Sequence, residues 1–125
     1  MPFWGETDPP PPFWGHEPVP KIDADTAAMA IEKGALLVDL GTPDDWLVGH
    51  MPGALLVEPE LVDMELPEID KERPIVVVGR DLGLAEEVVA SMREKGYDAA
   101  VLDGGVVAWR ASGRDLVRAD GKPVR

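Results

Sequence analysis

The sequence predicts an α/β fold in one domain: a mostly parallel central sheet flanked by helices, behind a proline-rich N-terminal extension. Three observations predict it. Short continuous apolar runs at Leu36–Leu40, Ala54–Val57, Ile75–Val78 and Ala99–Leu102 have the length and branching of strands buried on both faces. Amphipathic segments with helix caps alternate with those runs. Glycine and proline mark the boundaries between them. At 125 residues and 45% hydrophobic content, the chain can bury one real core.

The extension, residues 1–20, comes first. It holds Pro2, Pro9, Pro10, Pro11, Pro12, Pro18 and Pro20, and neither lysine nor arginine. Proline has no N–H and fixes φ, so neither a helix nor a central strand can run here. The segment repeats itself: Pro2-Phe3-Trp4-Gly5 returns as Pro12-Phe13-Trp14-Gly15. Tryptophan in such a head has no core to enter. Phe3, Trp4, Phe13 and Trp14 are therefore candidates for docking on the chain's own domain or on a protein partner, with plain disorder as the remaining reading. A polyproline stem rises about 3.1 Å per residue, so the two units can reach sites roughly 30 Å apart. The acidic head is expected to favour the basic region around Arg110, Arg114 and Arg118.

The domain is expected over residues 21–113. Asp23 or Asp25 can cap a helix over Thr26–Lys33, with Gly34 as its stop. Leu36–Leu40 is a strand carrying Asp39. Thr42 can cap a short helix over Pro43–Val48, with proline at its first position. Gly49-His50-Met51-Pro52-Gly53 is a turn, and Ala54–Val57 a second strand. Residues 60–73 are acidic and proline-punctuated, with room for one short helix. Ile75–Val78 is the most apolar strand. Gly83–Lys95 is a helix with Leu84, Val88, Val89 and Met92 inward, and Gly96 ends it. Ala99–Leu102 is a strand. Gly104-Gly105 leads into a helix carrying Val106, Val107 and Trp109, which closes at Gly113. Trp46 and Trp109 fall at core positions. Residues 114–125 are a basic tail, expected to be a solvated end or one folded back on its own domain.

Composition excludes several classes of function. The net charge of −12 disfavours nucleic acid and anionic membranes, which need a positive face. The exception is local: Arg110, Arg114, Arg118, Lys122 and Arg125 stand against Asp115 and Asp120, a net of +3. Zero cysteines exclude disulfides, thiolate metal sites and thiol catalysis. With His16 and His50 the only histidines, a histidine-rich metal site is excluded, and no metal or other cofactor is expected. Neither a secretory signal nor an apolar stretch long enough for a bilayer stands out, so a cytoplasmic protein is expected.

In open parallel sheets, sites lie at the carboxyl ends of the strands, where Asp39 and Gly79 fall. The strand Ile75–Val78, the loop from Gly79 and the following helix bring backbone N–H groups and a helix N-terminus to one point. Enzymes place a thiolate in such a cradle because the helix stabilises the charge.

This pattern resembles the rhodanese-like (sulfurtransferase) domain over roughly residues 21–113. Three stretches carry the resemblance. The first is Leu37-Val38-Asp39-Leu40-Gly41-Thr42-Pro43-Asp44-Asp45-Trp46 with Gly49-His50-Met51-Pro52-Gly53-Ala54. The second is Pro74–Gly79 with the Gly83–Gly96 helix. The third is Leu102-Asp103-Gly104-Gly105-Val106-Val107-Ala108-Trp109. The resemblance implies a loop cysteine that carries sulfur as a persulfide, held by loop N–H groups and helped by arginines. Here Gly79 stands at the cysteine position. Leu84 and Gly41 stand where arginines are common. The loop Gly79, Arg80, Asp81, Leu82, Gly83, Leu84 and Ala85 thus resembles a degenerate active site.

No other nucleophile takes over. A hydroxyl needs a positioned base, and Ser91, His50 and Asp39 form a triad on paper only. Asp39 is expected to hold the donors of the turn after its strand, and His50 to brace the Gly49–Gly53 turn. Free-anion binding in the loop is opposed by Asp81, Glu86 and Glu87 near the same helix end. The resulting expectation is a catalytically inactive rhodanese-like domain acting as a binding, scaffold or regulatory module, with a protein partner or self-association. The alternatives are an accessory cradle in a sulfur-relay pathway whose cysteine comes from a partner, and a structural remnant without a ligand.

Overall fold

A computed structural model describes residues 19–79, 82–118 and 122–124. Its central sheet has five parallel strands: β1 (Lys21–Ile22), β2 (Leu36–Asp39), β3 (Leu55–Leu56), β4 (Ile75–Val78) and β5 (Ala99–Leu102). Their spatial order is β1-β5-β4-β2-β3. The central strands β4 and β5 are buried at all four positions, which explains why they read as unbroken apolar runs.

Side chains alternate across the sheet and so feed two cores. Leu37, Val76, Val78, Ala100 and Leu102 face one layer, with α1 (Ala24–Glu32) and α5 (Gly105–Ala111). Val38, Ile75, Val77, Ala99 and Val101 face the other. That layer is covered by α4 (Leu82–Glu94) and by the short helix α3 (Val62–Glu65), which has a 3-10 turn at either end. Each fully buried Val, Leu or Ile side chain contributes about 1.5–3 kcal/mol. The two packed faces therefore hold the sheet far more firmly than its short ladders do.

The caps lie where the local chemistry asks for them. Asp23, not Asp25, caps α1, accepting the Thr26 N–H at 2.7 Å. The helix therefore begins at Ala24, ahead of the expected Thr26. The Thr26 hydroxyl and N–H both hold the Asp23 carboxyl below its ordinary range. Thr42 caps α2 (Pro43–Val48), as expected. Gly34 and Gly96 follow α1 and α4 with positive φ. The Ala54–Val57 run shortens to Leu55–Leu56, and α4 begins one residue early, at Leu82. Trp109 is buried as expected; Trp46 is half-buried and packs at the margin of its core.

Two features depart from the expected boundaries. Lys21–Ile22 is a strand at the sheet edge, paired with Val101 and Leu102. Lys21 also bonds Glu86 on α4 at 2.7 Å, and that hydrogen bond raises its pKa. Beyond Gly113 the chain does not leave the domain. Leu116–Val117 (β6) pairs antiparallel with Pro123–Val124 (β7), and Leu116 is buried in the α1/α5 core. The described part of the expected tail 114–125 is thus folded back on the body, one of the two outcomes expected for it. Among the described residues, no helix is long and apolar enough to cross a membrane.

Candidate functional site

The carboxyl ends of β2, β4 and β5 meet at one rim. Asp39 ends β2 and lies in register with Val78, the last residue of β4. The Leu40 N–H donates to the Val78 carbonyl at 2.9 Å, so the chains after β2 and β4 leave the sheet side by side. Gly79 follows directly, half-buried, and α4 starts at Leu82. Of the candidate loop Gly79–Ala85, Gly79 sits at the strand end and Leu82–Ala85 form the first turn of the 13-residue helix. Arg80 and Asp81 lie outside the described residues.

The third wall is the start of α5. Gly105 has φ +55°, and a Cβ there would lie 3.1 Å from the Gly79 carbonyl oxygen. The β5–α5 turn thus approaches the loop backbone at a distance that leaves little room for a side chain.

Asp39 is buried, and its Oδ1 accepts the Gly41 N–H at 2.7 Å. It does hold the turn after its strand. The same contact bears on the missing arginine at position 41: a Cβ on Gly41 would lie 2.9 Å from Oδ1. An arginine there requires Asp39 to turn away first. Leu84, at the other position where an arginine is common, packs partly buried against the core that contains Leu40, Val57 and Ala85. Leu84 is thus part of the packed core, whereas a side chain at position 41 needs only a rotation of the Asp39 carboxylate.

His50 plays a different part from the one expected. It is buried, and its ring stacks on Trp46 with centroids 3.5 Å apart and planes 5° from parallel. Nδ1 lies 2.8 Å from the Trp46 carbonyl, which can only accept, so Nδ1 carries a proton. The His50 backbone exchanges two hydrogen bonds with Val117, at 2.9 and 2.7 Å. His50 therefore ties the end of α2 to the β6–β7 hairpin, rather than bracing only its own turn.

The paper triad is not assembled. The Ser91 hydroxyl accepts from the Lys95 ammonium at 3.1 Å in the last turns of α4. Nine residues separate it from Leu82, a helical rise of about 13 Å from the rim. Among the described residues there is no cluster of three or more His, Asp or Glu able to hold a metal. Phe3, Trp4, Phe13 and Trp14 lie outside the described residues.

A groove of about 610 Å³ opens at the amino end of the sheet, lined by Leu66, Pro67, Ile69, Lys71, Lys95 and Tyr97. Its residues come from two distant stretches, so no local pattern could have announced it.

Known proteins resemble this chain in sequence and in shape. The model of the rhodanese-like domain family matches residues 23–112. A sulfurtransferase of Allochromatium vinosum is 30% identical over 106 residues, covering 82% of this chain and 99% of the relative. Thiosulfate sulfurtransferase GlpE of Pseudomonas aeruginosa is 29% identical, over 73% of this chain and 84% of its own. The solution structure of a rhodanese-like domain from Anabaena superposes with a TM-score of 0.68 at 28% identity, over 79% of each chain. A crystal structure of a thiosulfate sulfurtransferase from Pseudomonas aeruginosa gives 0.73 at 24% identity, over 83% of this chain but only 20% of that one. The order of the strands, the loop between β4 and α4 and the match over residues 23–112 lead to one conclusion: the chain belongs to the rhodanese-like domain family, related to sulfurtransferases and lacking any cysteine.

Proposed function

We propose that this domain works by binding, as a scaffold or regulatory module, and carries no sulfur on a thiol of its own. The observation that supports this is Gly79, which directly follows β4 at the start of the loop in a chain without cysteine. The surroundings support it further. Asp39 occupies the space that a side chain at position 41 would need, and Leu84 is packed against apolar neighbours. The nucleophile and two cations are absent together, and persulfide chemistry uses them together.

A second reading is an accessory cradle in a sulfur-relay pathway. The approach of Gly105 to the Gly79 carbonyl favours it, because the β5–α5 turn closes on the end of β4. The two readings part in one assay. Purified protein should transfer no sulfur from thiosulfate to cyanide above a denatured control. It should also leave unchanged the rate of sulfur transfer from glutathione persulfide to cyanide. Acceleration of the second reaction alone would favour the accessory cradle. Thiosulfate turnover unaffected by thiol reagents would overturn both.

Installing the thiol tests the weight placed on the missing cations. Gly79→Cys, with Gly41 and Leu84 unchanged, should be alkylated slowly and titrate near the free-thiol value of about 8.5. A clearly lower midpoint in the alkylation rate against pH would mean that loop and helix suffice.

A further inference from the structure

We infer that the groove at the amino end of the sheet is the docking site for the chain's own head, and that it receives the second aromatic unit, Phe13-Trp14 with Glu17. The head lies outside the described residues, but the point where it joins the domain is defined. Lys21 and Ile22 pair parallel with Val101 and Leu102, and the Pro20 carbonyl accepts the Val101 N–H at 2.9 Å. Reading back from Pro20, the chain runs toward the start of β5, where Tyr97 and Lys95 lie. Val19 already packs against the core that contains Tyr97 and Leu66. The head therefore joins the domain on the face and at the end of the sheet where the groove opens.

The groove matches the chemistry of the unit. Its floor is apolar, with Tyr97 buried and its hydroxyl donated to the Leu66 carbonyl at 2.6 Å. The Lys71 ammonium sits 5.5 Å from the centre of the Tyr97 ring, and exposed Lys95 also lines the groove. A ligand for this surface presents an aromatic body and a nearby negative charge. Each repeat of the head has that form: Phe3-Trp4 is followed by Glu6, and Phe13-Trp14 by Glu17. The head contains neither lysine nor arginine, so no basic side chain of that kind in it repels the two lysines. Aromatic side chains bury much area for little entropy, and a volume of several hundred Å³ suits such an occupant.

Tether length decides between the two repeats. Trp14 is five residues from Val19, so an extended stem carries it about 16 Å, enough to reach Tyr97. Trp4 is fifteen residues away. Effective concentration falls roughly as the −3/2 power of tether length, which favours the nearer unit. The basic region near Arg114 is a poorer site. The Arg114 guanidinium is bound to Asp25 at 2.8 Å and lies over the Trp109 ring, in the opposite layer of the domain.

The absence of cysteine makes the test direct, because Gly15→Cys creates a unique attachment point for a nitroxide in the full chain. Docking predicts selective paramagnetic broadening of the amide signals of Ile69, Lys71, Lys95 and Tyr97, with those of Arg110, Arg114 and Arg118 spared. Lys71→Glu with Lys95→Glu should abolish the selective broadening. In the unlabelled full chain, Trp14→Ala should shift the same groove signals. Broadening centred on Arg110–Arg118 would overturn the assignment. So would broadening seen only on isotope-labelled chains mixed with spin-labelled ones, which would mean a second copy fills the groove. Absence of both selective broadening and Trp14→Ala shifts would overturn it as well.

Discussion

At the carboxyl end of the sheet the distinctive features belong to the backbone, whereas at the amino end they belong to side chains. The carboxyl rim has the strand ends of β2 and β4 side by side, the helix start at Leu82 and Gly105 against the Gly79 carbonyl. Three of its described positions, Gly41, Gly79 and Leu84, carry neither a nucleophile nor a charge. The amino rim has a left-handed residue, Gly96, and it is the side chains of Tyr97, Lys71 and Lys95 that shape a groove with charge and an apolar floor. Backbone geometry at a strand end is dictated by the fold and does not depend on which side chains stand there. Side chains can be exchanged without disturbing the fold, and recognition can move to another end of the same sheet.

This contrast makes distinct predictions for the two ends. The largest effect is expected at the carboxyl rim. Gly105→Val forces a branched residue into a left-handed conformation and drives its Cβ against the Gly79 carbonyl, 3.1 Å away. The cost should be about 2 kcal/mol or more, read as a lower urea midpoint with an unchanged slope. A neutral result would mean that the β5–α5 turn does not need this approach.

At the amino rim, Tyr97→Phe keeps the ring and removes the bond to the Leu66 carbonyl. The Leu66 carbonyl keeps the Ile69 N–H at 2.9 Å, so losing the hydroxyl's bond should cost about 0.5–1.5 kcal/mol. Because the ring and both lysines remain, the head should still dock, so the groove signals should stay broadened by a nitroxide at position 15. Loss of docking at full stability would make the hydroxyl part of the recognition surface.

The smallest effect belongs to neither rim. The Asp23 carboxyl is held below its ordinary range by Thr26, so its cap contributes stability above the unfolded value of about 3.9 and loses it as pH falls through the lower folded value. The advantage of the native chain over Asp23→Asn should therefore be constant near neutrality and shrink below about pH 4. A difference that does not change with pH would assign the cap to hydrogen bonding alone.

How much could be read from the chain depended on the range of the interactions. The helix Pro43–Val48 and the strands Ile75–Val78 and Ala99–Leu102 have the bounds that local pattern predicted. Each is specified within its own residues, by a cap, a proline or a continuous apolar run. The strand at Lys21–Ile22 is two residues long and has no period to detect; it exists because β5 offers an open edge. The β6–β7 hairpin did leave a trace. The pair Asp120-Gly121 between Leu116-Val117 and Pro123-Val124 is a hairpin turn signal, hidden by the basic charge of the segment.

The sequence by itself determined the fold class, the alternation of strand and helix, the lack of a thiol and the placing of Asp39 and Gly79 at strand ends. Those properties follow from residue type and short-range order. Tertiary structure alone decided that His50 stacks on Trp46 and pairs with Val117, that Asp39 occupies the space beside Gly41, and that Leu66–Lys71 meets Lys95–Tyr97 in a groove. Each of these relations depends on distances and directions that exist only once the sheet and its two helical layers have packed. His50 and Val117 are 67 residues apart in the chain and become hydrogen-bond partners only when the hairpin folds back beside α2.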